Sequence, residues 1–194
     1  MTETTSDKSV VRVGLLGCGN VGAALVQLVA DRGDEIAART GTRLEIARVA
    51  VRSLTRKRPV HLDESILTRD ANEVVADPSI DVVVEVIGGI EPARELILAA
   101  MAAGKPVVTA NKELLANHGA ELYTAASAAG VDLLFEAAVA GGIPILRPLR
   151  ESLAGEDVRR IMGIVNGTTN FILTRMSEQG TGYGEALAEA QELG

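Results

Sequence analysis

The 194-residue sequence predicts a doubly wound α/β fold on a parallel sheet, followed by an incomplete second α/β domain. Three observations predict it. From Val10 onward, short apolar runs alternate with longer amphipathic stretches. The runs are continuously apolar, as in strands covered on both faces. The first run also leads into a helix through a glycine-rich turn.

Each element follows from its local pattern. Val10 to Leu16 reads as a buried strand ending in Gly17. Asn20 to Ala38 reads as a helix with Val21, Leu25, Leu28, Val29 and Ile36 on one face. Gly41 breaks the chain, and Leu44 to Val51 forms a β-branched strand. Residues 52–81 are polar and less regular, with Pro59 and Pro78 as punctuation. Asp81 to Ile87 is the clearest strand, closed by Gly88 and Gly89. Helix Glu91–Ala103 stops at Gly104, strand Pro106–Thr109 follows, helix Asn111–Ala129 ends at Gly130, and Val131–Phe135 is a strand. Beyond Glu136 the style changes. A small-residue loop over 137–142 leads to a helix over Ile143–Leu153, a strand over Val158–Val165, and helices over Thr168–Ser177 and Tyr183–Leu193. The expected organisation is a disordered polar stretch over 1–9, a nucleotide-binding type of domain over 10–136, and the beginning of a second domain over 137–194, its remainder absent.

Composition removes several function classes. The net charge of −7 argues against reading nucleic-acid phosphates through basic excess. Two Phe, two Tyr and no Trp exclude an aromatic base-stacking platform. Cys18 is the single cysteine, which excludes an internal disulfide framework and a multi-cysteine metal site. No apolar run approaches the ~20 residues that span a bilayer. The polar residues 1–9 carry no hydrophobic signal segment. The expectation is a cytoplasmic protein with no membrane or nucleic-acid partner.

In doubly wound sheets, ligands bind at the carboxyl ends of the strands. The loop after Leu16, Gly17-Cys18-Gly19-Asn20-Val21-Gly22, fits the G-x-G-x-x-G pattern between a strand and a helix. Gly17 permits the tight turn, Gly19 lets a pyrophosphate approach the backbone, and Gly22 lets helix and strand pack closely. The helix N-terminus offers free N–H groups and a positive dipole. At the end of the second strand, where NAD enzymes usually place an acid, this chain has Arg52 and Ser53, with Arg56, Lys57 and Arg58 close behind. A guanidinium suits a 2′-phosphate better than a diol. NADP is therefore expected, with NAD tolerated. The competing reading is a solvated basic loop, and Cys18 reads as a small filler rather than a reactive thiol.

Five segments together resemble bacterial homoserine dehydrogenase, in the same order. They are Gly17–Gly22, Glu85-Val86-Ile87-Gly88-Gly89, Thr109-Ala110-Asn111-Lys112, Glu136-Ala137-Ala138-Val139-Ala140-Gly141-Gly142-Ile143-Pro144 and Asn166-Gly167-Thr168-Thr169-Asn170. The resemblance implies a Rossmann-type cofactor domain, followed by the start of a substrate and dimerisation domain. It implies interconversion of L-aspartate 4-semialdehyde and L-homoserine by hydride transfer with NAD(P)H, and a homodimer. It places Gly17, Gly19, Asn20, Val21, Gly22, Arg52, Ile87, Gly88, Lys112 and Gly194 at the cofactor, and Lys112, Gly167 and Thr168 at the substrate. Lys112 also opens a helix on the ligand-binding edge, where the dipole disfavours its ammonium form and suits proton handling. The resemblance implies that Lys112 assists while the main proton donor lies beyond Gly194, so that this chain binds cofactor with little turnover. It further implies a monovalent-cation site, such as one for Na+, at Glu136, Val139, Gly141 and Ile143, formed largely by backbone carbonyls. Thr168 equally reads as a helix cap, and residues 136–144 as a plain hinge. Other readings are a different NADP-dependent semialdehyde or sugar dehydrogenase, and a non-catalytic NADP-sensing module.

Overall fold

A computed structural model describes residues 9–163 and 166–193. Gly194 and the last two residues of the strand expected over 158–165 lie outside that range, as does the expected polar stretch except for Ser9. The chain divides into two compact units, meeting between Phe135 and Glu136.

The first unit is a six-stranded sheet, all of whose pairings are parallel. Its strands are β1 (Ser9–Leu16), β2 (Thr42–Ala50), β3 (Leu67–Thr68), β4 (Val82–Glu85), β5 (Val107–Thr109) and β6 (Leu133–Leu134). They lie in the order β3-β2-β1-β4-β5-β6. The chain winds outward from β1 to β3, returns to β4 and winds the other way, so the switch point falls between β1 and β4. Helices α1 (Asn20–Thr40), α2 (Ala71–Ala76), α3 (Ala93–Ala102) and α4 (Lys112–Ala129) flank the sheet.

Leu15 and Leu16 show why the strands are continuously apolar. Neighbours on a strand point to opposite faces, yet both side chains are fully buried. Leu15 packs with Val26 of α1, Val49 and Val51. Leu16 packs with Val83, Val107 and the inner faces of α2, α3 and α4, including Val74, Ile97, Met101 and Leu114. Burying each such side chain contributes roughly 1.5–3 kcal/mol. Gly41 and Gly130 end α1 and α4 in the left-handed conformation, at φ 74° and 66°.

Three features differ from the sequence reading of this unit. Residues 52–81 are not all irregular: they contain a 3₁₀ turn over Glu64–Ile66, the two-residue β3 and the six-residue α2. The inner face of α1 is Gly22, Ala23, Val26, Gly33 and Ala37. Val21 and Leu28 face outward, at 57% and 46% exposure. Close approach selects glycine at Gly22, where a Cβ would collide with the Gly17 carbonyl, and with Ala23, Gly33 and Ala37 also small the apolar signal of this face is weak. Strand ends also shift: β1 and β2 start earlier, at Ser9 and Thr42, while the strands expected over 81–87 and 131–135 shorten to Val82–Glu85 and Leu133–Leu134.

The second unit contains helices α5 (Gly167–Gln179) and α6 (Tyr183–Leu193). Ile172, Ala186 and Ala190 form their common core, with Phe171 and Leu187 against it. Arg175 lies 5.6 Å from the Phe171 ring centroid and grips Glu189 with both nitrogens of its fork. The helix expected over Ile143–Leu153 shortens to a π-helical turn over Pro148–Ser152. The strand expected from Val158 is absent over 158–163, which pair with no neighbour among the described residues. Val158, Ile161 and Met162 there are exposed, so they lack the partner strand that would hide them.

Candidate cofactor site

The loop after β1 is held between its neighbours. The Gly17 amide donates to the Ala50 carbonyl at 3.0 Å, and the Val86 amide donates to the Leu16 carbonyl at 2.9 Å. Gly17 has φ +98°, a conformation that favours glycine. A Cβ at Gly22 would stand 2.2 Å from the Gly17 carbonyl oxygen, so this position excludes any side chain. Gly19 differs: a Cβ there would meet nothing within 4 Å. Its smallness has no internal cause and leaves room on the outer side of the turn. Gly19 also caps α1 without a side-chain hydrogen bond. The first N–H groups of a 21-residue helix therefore open at the turn.

A cleft of about 490 Å³ opens here, lined by the Gly17–Gly19 turn, the ends of β2 and β4, and the loops behind them. Its charge is unusual for a chain of net charge −7. Arg52, Arg56, Arg58 and Arg69 all line it, against the single acid Glu91. The first unit has six further arginines: Arg12, Arg32, Arg39, Arg43, Arg48 and Arg94. Each of those six is ion-paired. None of the four cleft arginines forms an ion pair among the described residues. Arg58 bonds the Ser53 and Arg56 carbonyls through its terminal nitrogens. Its buried Nε is the one buried side-chain polar atom without a partner among the described residues. Such groups fit a multiply charged anion. Cys18 sits in the same lining. Burial pushes its thiol pKa up, against the opposing charge of Arg58, which agrees with a filler.

The other end of the site is built differently. Glu85 ends β4 fully buried. Its Oε1 accepts from the Ile87 and Gly88 amides at 2.9 and 3.2 Å, and its Oε2 accepts from the Thr109 hydroxyl at 2.6 Å. Thr109 Oγ1 in turn accepts from the Asn111 amide at 3.0 Å. Asn111 donates its side-chain N–H to the Gly89 carbonyl at 2.6 Å and caps α4 by accepting from the Leu114 amide at 3.1 Å. Lys112, the first residue of α4, is exposed.

Of the residues expected at the cofactor, Gly17, Gly19, Arg52, Ile87 and Gly88 line this one cleft. Asn20, Val21 and Gly22 follow in the first turn of α1, and Lys112 stands past the end of β5. Gly194 lies outside the described residues. Gly167 and Thr168 open α5 in the second unit, but the helix cap is Asn166, which accepts from the Thr169 amide at 2.8 Å. Thr168 is therefore not the cap. Glu136 turns its carboxylate to the Leu146 and Arg147 amides, at 2.8 and 3.1 Å. Sequence reasoning missed Arg69 and the Glu85–Thr109–Asn111 network. A lone acid inside the apolar run 82–87 is the signal that marks Glu85.

Residues 17–136 match the family model "Homoserine dehydrogenase, NAD binding domain", and 144–194 match "Homoserine dehydrogenase". The chain is 53% identical over 186 residues to a homoserine dehydrogenase of Corynebacterium glutamicum, covering 96% of this chain and 42% of that protein. It is 48% identical over 184 residues to that of Bacillus subtilis, covering 95% and 42%. A solved homoserine dehydrogenase from Thiobacillus denitrificans superimposes with a TM-score of 0.86 at 46% identity, over 95% of this chain and 43% of that one. A hyperthermophilic archaeal homoserine dehydrogenase in complex with NADPH superimposes at 0.78 and 30% identity, over 95% and 61%. The chain thus spans about two-fifths of the length of the curated relatives it matches. Sequence, fold and cleft agree: this chain belongs to the homoserine dehydrogenase family, and its first unit is that family's NAD(P)-binding domain.

Proposed function

We propose that the cleft binds NADP(H) in preference to NAD(H), and that the whole protein interconverts L-aspartate 4-semialdehyde and L-homoserine. One observation carries the cofactor reading: four arginines of the first unit lack ion-pair partners among the described residues, and all four line one cleft. The residues fit the group. The space beside Gly19 and the first amides of α1, at Asn20 and Val21, take the pyrophosphate. Arg52, Arg58 and Arg69 take the 2′-phosphate. NAD is tolerated because the turn and α1 hold the shared pyrophosphate.

When bound, the nicotinamide supplies or receives the hydride. The chain's own residues orient and polarise. The Ile87–Gly88 edge supports the nicotinamide half, since the adenosine half is drawn to the arginine end. Lys112 assists by holding a proton near the substrate's carbonyl oxygen and countering the charge that develops there. Gly167 and Thr168 offer the amides of the first turn of α5 to the substrate carboxylate. A monovalent cation such as Na+ fits the loop at Glu136, Val139, Gly141 and Ile143. The Glu136 carboxylate is occupied by two amides, and the Glu136 and Val139 carbonyls each accept one backbone amide, at 3.3 and 2.9 Å. The second lone pairs of those carbonyls, with the Gly141 and Ile143 carbonyls, make a neutral donor set suited to a hard ion of low charge. Positive φ at Ala140, Gly141 and Gly142 turns those carbonyls through the loop. The exposed Val158, Ile161 and Met162 support a homodimer formed through the second unit. No helix among the described residues is long and apolar enough to cross a membrane, in keeping with a cytoplasmic enzyme.

The test is a substrate panel on the whole gene product with NADP+. The expected result is reduction of NADP+ with homoserine and none with other hydroxy-amino acids or sugars. Turnover only with another alcohol, or none with any, contradicts the substrate assignment.

A further inference from the structure

We infer that Glu85 is a positioning residue: its buried carboxylate locks the loop after β4 to the start of α4, and so fixes the nicotinamide half of the cleft relative to Lys112. The inference rests on the cofactor reading above and adds a residue that touches neither cofactor nor substrate.

Glu85 pairs in register with Leu16 of β1 and with Thr109 of β5, at the carboxyl ends of the strands beside the switch point. A buried carboxylate is costly where packing alone is needed, because an apolar side chain fills the space without desolvating charge. Here every bond it makes serves a ligand-facing loop. One oxygen gathers the Ile87 and Gly88 amides, and both of those residues line the cleft. The other oxygen fixes the Thr109 hydroxyl, which orients the Asn111 amide. Asn111 then closes the loop from the far side through the Gly89 carbonyl and caps the helix that Lys112 begins. The chain of bonds from Ile87 to Leu114 holds two loops in one geometry, and Lys112 is carried within it.

The network lies away from the arginine end, so it controls one half of the dinucleotide. Binding of the chain to NADPH and to 2′,5′-ADP, the adenosine half alone, separates the two. Glu85→Gln keeps shape but replaces one acceptor oxygen by an N–H₂ that faces the Thr109 hydroxyl. NADPH affinity is expected to fall roughly tenfold while 2′,5′-ADP affinity changes less than about twofold. Thr109→Val is expected to reproduce that split, and Thr109→Ser, which keeps the hydroxyl, to restore NADPH binding. Should Glu85→Gln fail to fold, the Thr109 pair decides. Parallel weakening of both probes, or an unchanged NADPH affinity, overturns the inference and leaves the cofactor reading standing. A wild-type chain that binds neither probe overturns both, before any variant is made.

Discussion

The two ends of the cleft solve opposite problems. At the β2 and β3 end, four guanidinium groups are left without ion-pair partners among the described residues, and most of the groups are exposed. At the β4 and β5 end, the buried Glu85, Thr109 and Asn111 spend their polar groups on one another and on loop backbone. Unpaired charge on a surface stores affinity for an anion and adds little to stability. A saturated buried network adds rigidity and holds a geometry. The difference teaches that recognition and alignment reside in separate parts of one site, so substitutions at the two ends should fail in different ways.

The largest effect belongs to the turn between the two ends. Gly22→Ala forces a Cβ against the Gly17 carbonyl oxygen, a backbone atom that cannot turn aside. A loss of about 2–3 kcal/mol in chemical denaturation is expected, with NADPH binding lost as well. An unchanged midpoint would show that turn and helix part easily. Next is Arg52→Asp, which puts an acid where the 2′-phosphate is proposed to sit. NADPH affinity should drop about 100-fold and NADH affinity less than about threefold, with the denaturation midpoint unmoved. Equal losses for both cofactors would detach Arg52 from the phosphate. Arg69→Ala should behave alike at about tenfold.

Salt should sharpen the same contrast. Raising ionic strength screens the exposed arginine end, so NADPH binding should weaken markedly more than NADH binding in parallel titrations. The smallest effect concerns Cys18. Burial raises its thiol pKa in the folded chain, so the folded state keeps its proton to higher pH than the unfolded state. Stability should therefore decline slightly as pH climbs through the unfolded thiol's range. Alkylation should rise with pH later than for the unfolded chain and slow further with NADPH present. Fast alkylation at neutral pH would mark a reactive thiol instead of a filler.

What the sequence discloses depends on how far the cause lies along the chain. The glycine turn and the long apolar strands are local, and they stand where their pattern puts them. Arg69 is not local. It reaches the cleft because the two residues of β3 pair with β2, Thr68 opposite Ala50, and so short a strand has no readable period. The Glu85–Thr109–Asn111 network joins residues more than twenty positions apart, which only strand pairing brings together. The face of α1 misled for another reason: Gly22, Ala23 and Ala37 are buried because the helix sits close, while larger apolar residues such as Val21 point outward. In the second unit, residues 158–163 have strand-like composition but no partner strand among the described residues, and composition alone does not make a sheet.

Calorimetric titration of the wild-type chain with NADPH and, separately, NADH addresses the main point without any substitution. The account predicts saturable binding at one site per chain, tighter for NADPH. Absence of heat with either nucleotide, or tighter binding of NADH, would contradict it.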